Sequence, residues 1–87
     1  MRRELRWSLP AERDLEQIQR HSPRVARRIF ETTTQYAEIG YGDVVKLTGQ
    51  GGLYRLRVGD WRVIFAYEDD GLVVLALRVL NRRDAYR

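Results

Sequence analysis

Polar and apolar positions change rhythm near the middle of the chain. Residues Glu4 to Leu9 alternate polar and apolar and stop at Pro10, the pattern of a short strand. Leu9, Ala11, Leu15 and Ile18 then recur at roughly helical spacing and predict a helix over Ala11 to Arg20. Ser22 and Pro23 interrupt that run, a serine suited to an N-cap followed by a proline suited to the first helical position. The helix they open carries Val25, Ala26, Ile29, Phe30, Thr33, Tyr36 and Ala37 as one apolar stripe, and Gly40 and Gly42 end it. The result is a helical hairpin.

From Val44 onward the period shortens to two. Val44 to Leu47 is a brief extended piece, and Gly49, Gly51 and Gly52 form a flexible link. Three strands are predicted after it: Leu53 to Val58, Trp61 to Tyr67 and Leu72 to Leu80. Gly59-Asp60 suits a two-residue type II′ hairpin turn, with glycine first, and Glu68 to Gly71 makes the next turn. Leu72 to Leu77 is apolar on both faces, which predicts a central strand covered on both sides. The tail from Asn81 to Arg87 is too polar for a strand interior. Strand, two helices and a three-strand meander make an α+β fold, and 87 residues make a single domain, 1–87, with a modest core.

Composition narrows the chemistry. No cysteine is present, so disulfides, thiolate zinc sites and cysteine nucleophiles are excluded. The single histidine, His21, lies in the interhelix turn and reads as an exposed or capping residue. Asp43, Asp60, Asp69 and Asp70 fall mostly in turns and predict no metal site. Trp7 and Trp61 read as packing residues. No apolar run approaches the roughly 20 residues that a membrane helix needs, and the N-terminus leads into no signal-peptide core, so a cytoplasmic protein is expected.

Charge is the positive clue. Sixteen basic residues against 12 acidic ones give +4, and every base except Lys46 is arginine. The planar guanidinium fork suits phosphate. If Gly59-Asp60 is the hairpin turn, Val58 faces Trp61 and Arg57 faces Arg62 across the ladder. Tyr54, Leu56, Val58, Trp61, Val63, Phe65 and Tyr67 then share a core face, and Arg55, Arg57 and Arg62 share the other. Like charges directly opposite one another destabilise a strand pair by roughly 0.2–1 kcal/mol. One strand arginine reads as a solvated face; three together, with no acid in either strand body, read as a phosphate site. The tail adds Arg82, Arg83 and Arg87 with Tyr86 among them, a stacking aromatic beside phosphate-binding arginines.

These segments carry a family resemblance. Leu53-Tyr54-Arg55-Leu56-Arg57-Val58-Gly59-Asp60-Trp61-Arg62-Val63-Ile64-Phe65, an acidic turn, an apolar strand and Arg78-Val79-Leu80-Asn81-Arg82-Arg83-Asp84-Ala85-Tyr86-Arg87 resemble the RelE family, toxins of bacterial and archaeal toxin–antitoxin pairs in the RelE/ParE superfamily. Leu9 to Leu15 and Val45 to Gly49 are similar to the family's first-strand-to-helix passage and to its loop before the hairpin. The resemblance spans essentially the whole chain and is strongest over residues 53–87.

The resemblance implies two helices on a twisted, mainly antiparallel sheet. It also implies a metal-free ribonuclease, without cofactor, that cuts messenger RNA in the ribosomal A site. In that reaction the ribose 2′-hydroxyl attacks the adjacent phosphate. Carried over by position, Arg62 is a phosphate clamp, Arg82 stands near the leaving oxygen and Tyr86 stacks on or orients a base. Arg55 and Arg57 stand where relatives often have lysine, and Asn81 where they often have histidine or lysine. Arg83 joins Arg55, Arg57, Arg62, Asn81, Arg82 and Tyr86 as an RNA-binding residue. Arginine is a poor general base and asparagine shuttles no proton, which leaves Tyr86 as the remaining titratable residue. The implied partners are a cognate antitoxin, the ribosome and messenger RNA, with no membrane. Two other readings stay open: a non-catalytic RNA- or ribosome-binding relative, and a gyrase poison of the ParE branch.

Overall fold

The computed structural model describes residues 2–49 and 51–83. Its elements run β1 (Glu4–Trp7), α1 (Leu9–His21), α2 (Pro23–Ile39), β2 (Asp43–Lys46), β3 (Tyr54–Val58), β4 (Trp61–Glu68), a 3₁₀ turn (Asp69–Gly71) and β5 (Val73–Asn81). The five strands form one sheet in the order β1-β5-β4-β3-β2. Only β1 and β5 run parallel; the other neighbours are antiparallel. The helical hairpin carries the chain across one face of the sheet, from β1 at one edge to β2 at the other, and the meander returns it.

The first strand is shorter than the alternation predicts. It ends at Trp7, because Ser8 turns the chain into α1: the Ser8 side chain accepts from the Ala11 amide at 3.2 Å as an N-cap, and Pro10 falls within the first turn. Leu9 is therefore the first residue of the helix and lies 57% exposed, outside the stripe assigned to it. The second helix keeps its predicted boundaries. Ser22 caps its start, Pro23 follows, and Gly40 closes it in the left-handed conformation at φ 74°. Phe30, however, leaves the core stripe; it is 48% exposed and stacks on Trp7 at 6.0 Å.

Ala11 and Ile18 of α1 and Ala26, Ile29, Thr33, Tyr36 and Ala37 of α2 bury their faces against Leu56, Val58, Val63, Phe65, Val74, Ala76 and Val79. Complete burial of side chains such as Phe65, Ile29 and Leu56 stabilises by about 1.5–3 kcal/mol each. Thr33 satisfies its buried hydroxyl by donating to the Ile29 carbonyl at 2.7 Å.

The hairpin register is as the turn predicts. Val58 pairs with Trp61, Leu56 with Val63 and Arg57 with Arg62, and positive φ occurs at Gly59 but not at Asp60, as a type II′ turn requires. The last strand departs from expectation. Its place is second from an edge, between β1 and β4, and the described helices cover only one face of the sheet. Val73 is nevertheless buried on the face the helices leave open, and the apolar run ends at a register shift between Ile64 and Phe65 of β4. The pairing passes from Ile64–Arg78 to Phe65–Ala76 and leaves Leu77 without an opposite number. Asn81, assigned to the tail, is the final residue of β5.

Candidate nucleic-acid interface

The uncovered face of the sheet carries the predicted arginines. Arg57 stands directly across from Arg62, and Arg55 directly across from Ile64. Side chains so placed have Cβ atoms about 4.5–5.5 Å apart. Asp43 of β2 is the register partner of Arg57 on its other side. Ile64 and Val73 are buried on this face, although neither belongs to the core beneath the helices. A hydrophobic floor at Ile64 thus lies beside arginine stems, which cover apolar surface while their heads reach outward.

The three arginines differ in exposure, and this corrects the picture of a uniformly exposed charged face. Arg57 is exposed and Arg55 half-exposed, but Arg62 is only 6% exposed. Its Nη1 donates to the carbonyls of Gly59 at 2.8 Å and Trp61 at 3.0 Å, so the guanidinium folds back over the hairpin turn. Its Nε has no hydrogen-bond partner among the described residues. None of Arg55, Arg57 and Arg62 forms an ion pair among the described residues. A buried cation held by two neutral carbonyls, with a donor left over, is costly unless something anionic completes it.

The tail begins at the same end of the sheet. The Arg82 amide donates to the Asp60 carbonyl at 2.8 Å, which ties the start of the tail to the hairpin turn. Arg83 donates its amide to Asn81 Oδ1 at 3.2 Å. The side chains of Arg82 and Arg83 are exposed, and Asn81 is half-buried. The structure therefore gathers Arg57, Arg62, Asn81, Arg82 and Arg83 around one end of β3, β4 and β5. Tyr86 and Arg87 lie outside the described residues.

Sequence reasoning missed two residues that shape this end. Asp14 accepts from Arg78 Nε at 2.8 Å, from Arg78 Nη2 at 3.2 Å and from the Val79 amide at 2.8 Å. These bonds and the carboxylate's charge raise the Arg78 guanidinium further above its ordinary value. The signal was present: Asp14 stands three residues after Ala11 and four before Ile18, on the buried stripe of α1, where a carboxylate needs a partner. The second is Arg28 of α2, whose guanidinium reaches the helix-side surface of Gly59; a Cβ added there would sit 3.5 Å from its Nη1. No sequence signal marks that approach.

On the helix side of the same end lies a groove of about 450 Å³ between α1, the start of α2 and the end of β5. Trp61, Ile18, Val25 and Val79 give it an apolar lining, and Gln17 and Asn81 place amides on it. His21 also reaches it; the residue is exposed, as expected, with Nδ1 3.0 Å from the Gln17 carbonyl. Trp61 packs against the core, as the sequence predicts, and also presents part of its indole to the groove. Among the described residues no cluster of three or more histidines, cysteines and carboxylates gathers at metal-binding distance. No described helix is long and apolar enough to cross a membrane.

Comparison with known proteins bears on the family and the fold. The sequence model of the ParE toxin of type II toxin–antitoxin system, parDE, matches residues 5–86. The fold is similar to that of the archaeal RelE–RelB complex from Pyrococcus horikoshii OT3, at 26% identity and a TM-score of 0.72 over 97% of this chain and 99% of that one. It is also similar to the toxin–antitoxin complex RelBE2 from Mycobacterium tuberculosis, at 22% identity and a TM-score of 0.72 over 94% of this chain and 100% of that one. The YoeB/ParE toxin from Agrobacterium tumefaciens superposes with a TM-score of 0.75 at 19% identity, over 90% of this chain and 96% of that one. No curated protein matches the sequence.

Proposed function

The chain belongs to the ParE toxin family of type II toxin–antitoxin systems, within the RelE/ParE superfamily, and on that premise we propose that it is a ribosome-dependent messenger-RNA endoribonuclease. The observation that carries the reading is Arg62: a buried guanidinium that has no ion pair and no partner for its Nε among the described residues, flanked by Arg57 across the ladder. A phosphodiester is the ligand that satisfies such a site, because it brings both the missing charge and the missing acceptor.

The reaction proposed is an internal transfer. The 2′-oxygen loses its proton and forms a bond to the adjacent phosphorus as the bond from phosphorus to the 5′-oxygen breaks. The departing 5′-oxygen takes a proton from water, leaving a cyclic phosphate and a 5′-hydroxyl end. Charge builds on the equatorial oxygens of the phosphorane, and fixed cations there lower the barrier. Gly59 and Trp61 hold the Arg62 guanidinium in place, and because it is buried, a local opening of its surroundings brings its Nε to the phosphate. Arg55 and Arg57 supply further positive potential, and Arg82, held at the turn through its backbone, reaches the leaving-oxygen side. Arginines remain protonated at any physiological pH and do not abstract the proton. That task falls to Tyr86 or to a ribosomal group. A small antitoxin rich in acidic residues restrains the toxin by covering Arg55, Arg57, Arg62 or Arg82, or by displacing the tail that holds Tyr86.

The matching family model favours one competing reading, the ParE branch, in which the target is gyrase. Mapping new 5′ ends on a defined message paused on ribosomes separates the two. Cuts confined to the A-site codon, reduced about 10²–10³-fold in Arg62→Ala and lost in Arg82→Ala, support the nuclease. An intact message together with broken supercoiled DNA supports the gyrase reading. Ribosome binding without cleavage supports a non-catalytic relative.

A further inference from the structure

Trp61 and Arg62 are consecutive residues of β4 and so point to opposite faces of the sheet at the same end. Arg62 faces the uncovered arginine surface; Trp61 faces the groove beneath the helices. Asn81 is the register partner of Trp61 on β5, which places an amide beside the indole, and Gln17 brings a second amide from α1. The chain leaves Asn81 directly into Arg82 and Arg83, both exposed, and Arg28 reaches across Gly59 on the helix side of the turn.

We propose that this groove holds one unstacked nucleobase of single-stranded RNA whose backbone passes round the end of the sheet from the arginine face. The inference deepens the nuclease reading and rests on it. The volume of about 450 Å³ lies in the range of small-ligand sites, which are apolar pockets with a few placed polar groups. A half-buried indole is a stacking platform for any base, and flanking amides reach the hydrogen-bonding edges that an unpaired base displays. Asp14 and Arg78 also line the groove but are engaged with each other, so the lining offers an indole and neutral amides, which match an uncharged ring rather than the carboxylate of an acidic side chain. Arg82 and Arg83 follow the apolar lining in sequence, so a ligand with its charge on a backbone and its ring projecting inward fits the order of the residues. A base anchored at Trp61 fixes the register of the strand that continues onto the arginine face, and so selects the bond that is cut.

The test uses the purified chain and a hexamer of adenosines with 2′-O-methyl groups, which cannot be cleaved. The same oligomer without bases and an acidic peptide serve as comparisons. The indole N–H signal of Trp61 is followed by NMR during titration, alongside that of Trp7. The expected result is a shift at Trp61 and not at Trp7, with affinity falling about tenfold in Asn81→Ala and in the abasic oligomer. Trp61→Phe, which keeps a ring, is expected to retain part of the binding. Equal affinity for the abasic oligomer, with binding still lost in Arg62→Met, overturns the nucleobase site and leaves the phosphate site standing. A Trp61 shift with the acidic peptide alone also overturns it and marks the groove as a protein-docking site. If neither RNA nor millimolar adenosine monophosphate moves Trp61, the inference is overturned, and the end mapping on ribosomes still decides the nuclease reading separately.

Discussion

Asp14 of α1 accepts a hydrogen bond from the Val79 amide at 2.8 Å, where β5 has outrun its neighbour β1. The parallel pairing ends at Trp7–Ala76, and Ser8 extends it by donating its amide to the Ala76 carbonyl and its hydroxyl to that of Leu77. Beyond that point α1 replaces the missing strand, with one carboxylate serving the backbone that a strand would have served. The same carboxylate holds Arg78, so the end of β5 that leads into Asn81 and Arg82 is fixed to the first helix.

Asp14→Ala is expected to destabilise the fold by about 1–3 kcal/mol, chiefly because the Val79 amide loses its acceptor. Arg78 is half-exposed, so its ion pair adds only about 0–1 kcal/mol. Asp14→Asn, which keeps an acceptor for Val79, is expected to lose clearly less. Urea unfolding of the two variants checks the order; equal losses would show that the charge on Arg78 matters more than the amide.

Arg62→Met separates stability from function. Replacing a buried cation that has no ion pair among the described residues with an apolar side chain of similar length is expected to leave stability unchanged or raise it by about 1 kcal/mol. RNA association and cleavage are expected to collapse. Thermal unfolding and end mapping on the same preparation test the pair of outcomes, and a large drop in Tm would mean that the two carbonyl bonds matter structurally.

Tyr67 makes the fold sensitive to alkali. Burial, and then the hydrogen bond with Tyr36, push its hydroxyl up to about 12 from an ordinary 10. The folded chain therefore holds this proton more tightly than the unfolded chain. Its contribution is complete below pH 10 and is lost as pH rises from 10 through 12. Denaturant titrations across that window are expected to show a falling stability whose slope is shallower in Tyr67→Phe.

Gly42 is required for want of space. A Cβ there would lie 2.9 Å from Leu56 Cδ1 and 3.3 Å from Tyr36 Cδ1, both core side chains. Gly42→Ala is expected to cost about 1–3 kcal/mol through overpacking, whereas alanine at Gly51, where nothing lies within 4 Å, meets no such obstacle. Calorimetry on the two variants gives the contrast directly.

What the sequence determined by itself is the local chemistry. The Ser22–Pro23 cap, the left-handed close at Gly40, and the Gly59-Asp60 turn with its Arg57–Arg62 register all follow from residues close together in the chain. Periodicity and turn chemistry act over a few residues, so they are legible without the fold. The arginine face was legible for the same reason. The tertiary structure alone decided which strands are neighbours, where β5 shifts register, that Phe30 and Leu9 remain exposed, and that Arg62 is buried while Arg57 is not. It alone brought Asp14 to Val79, 65 residues away, and Trp61 to the groove under α1. These depend on how sheet curvature and helix placement distribute burial among residues that look equivalent along the chain. A strand pattern assigns a side chain to a face, but only packing decides how much water reaches it.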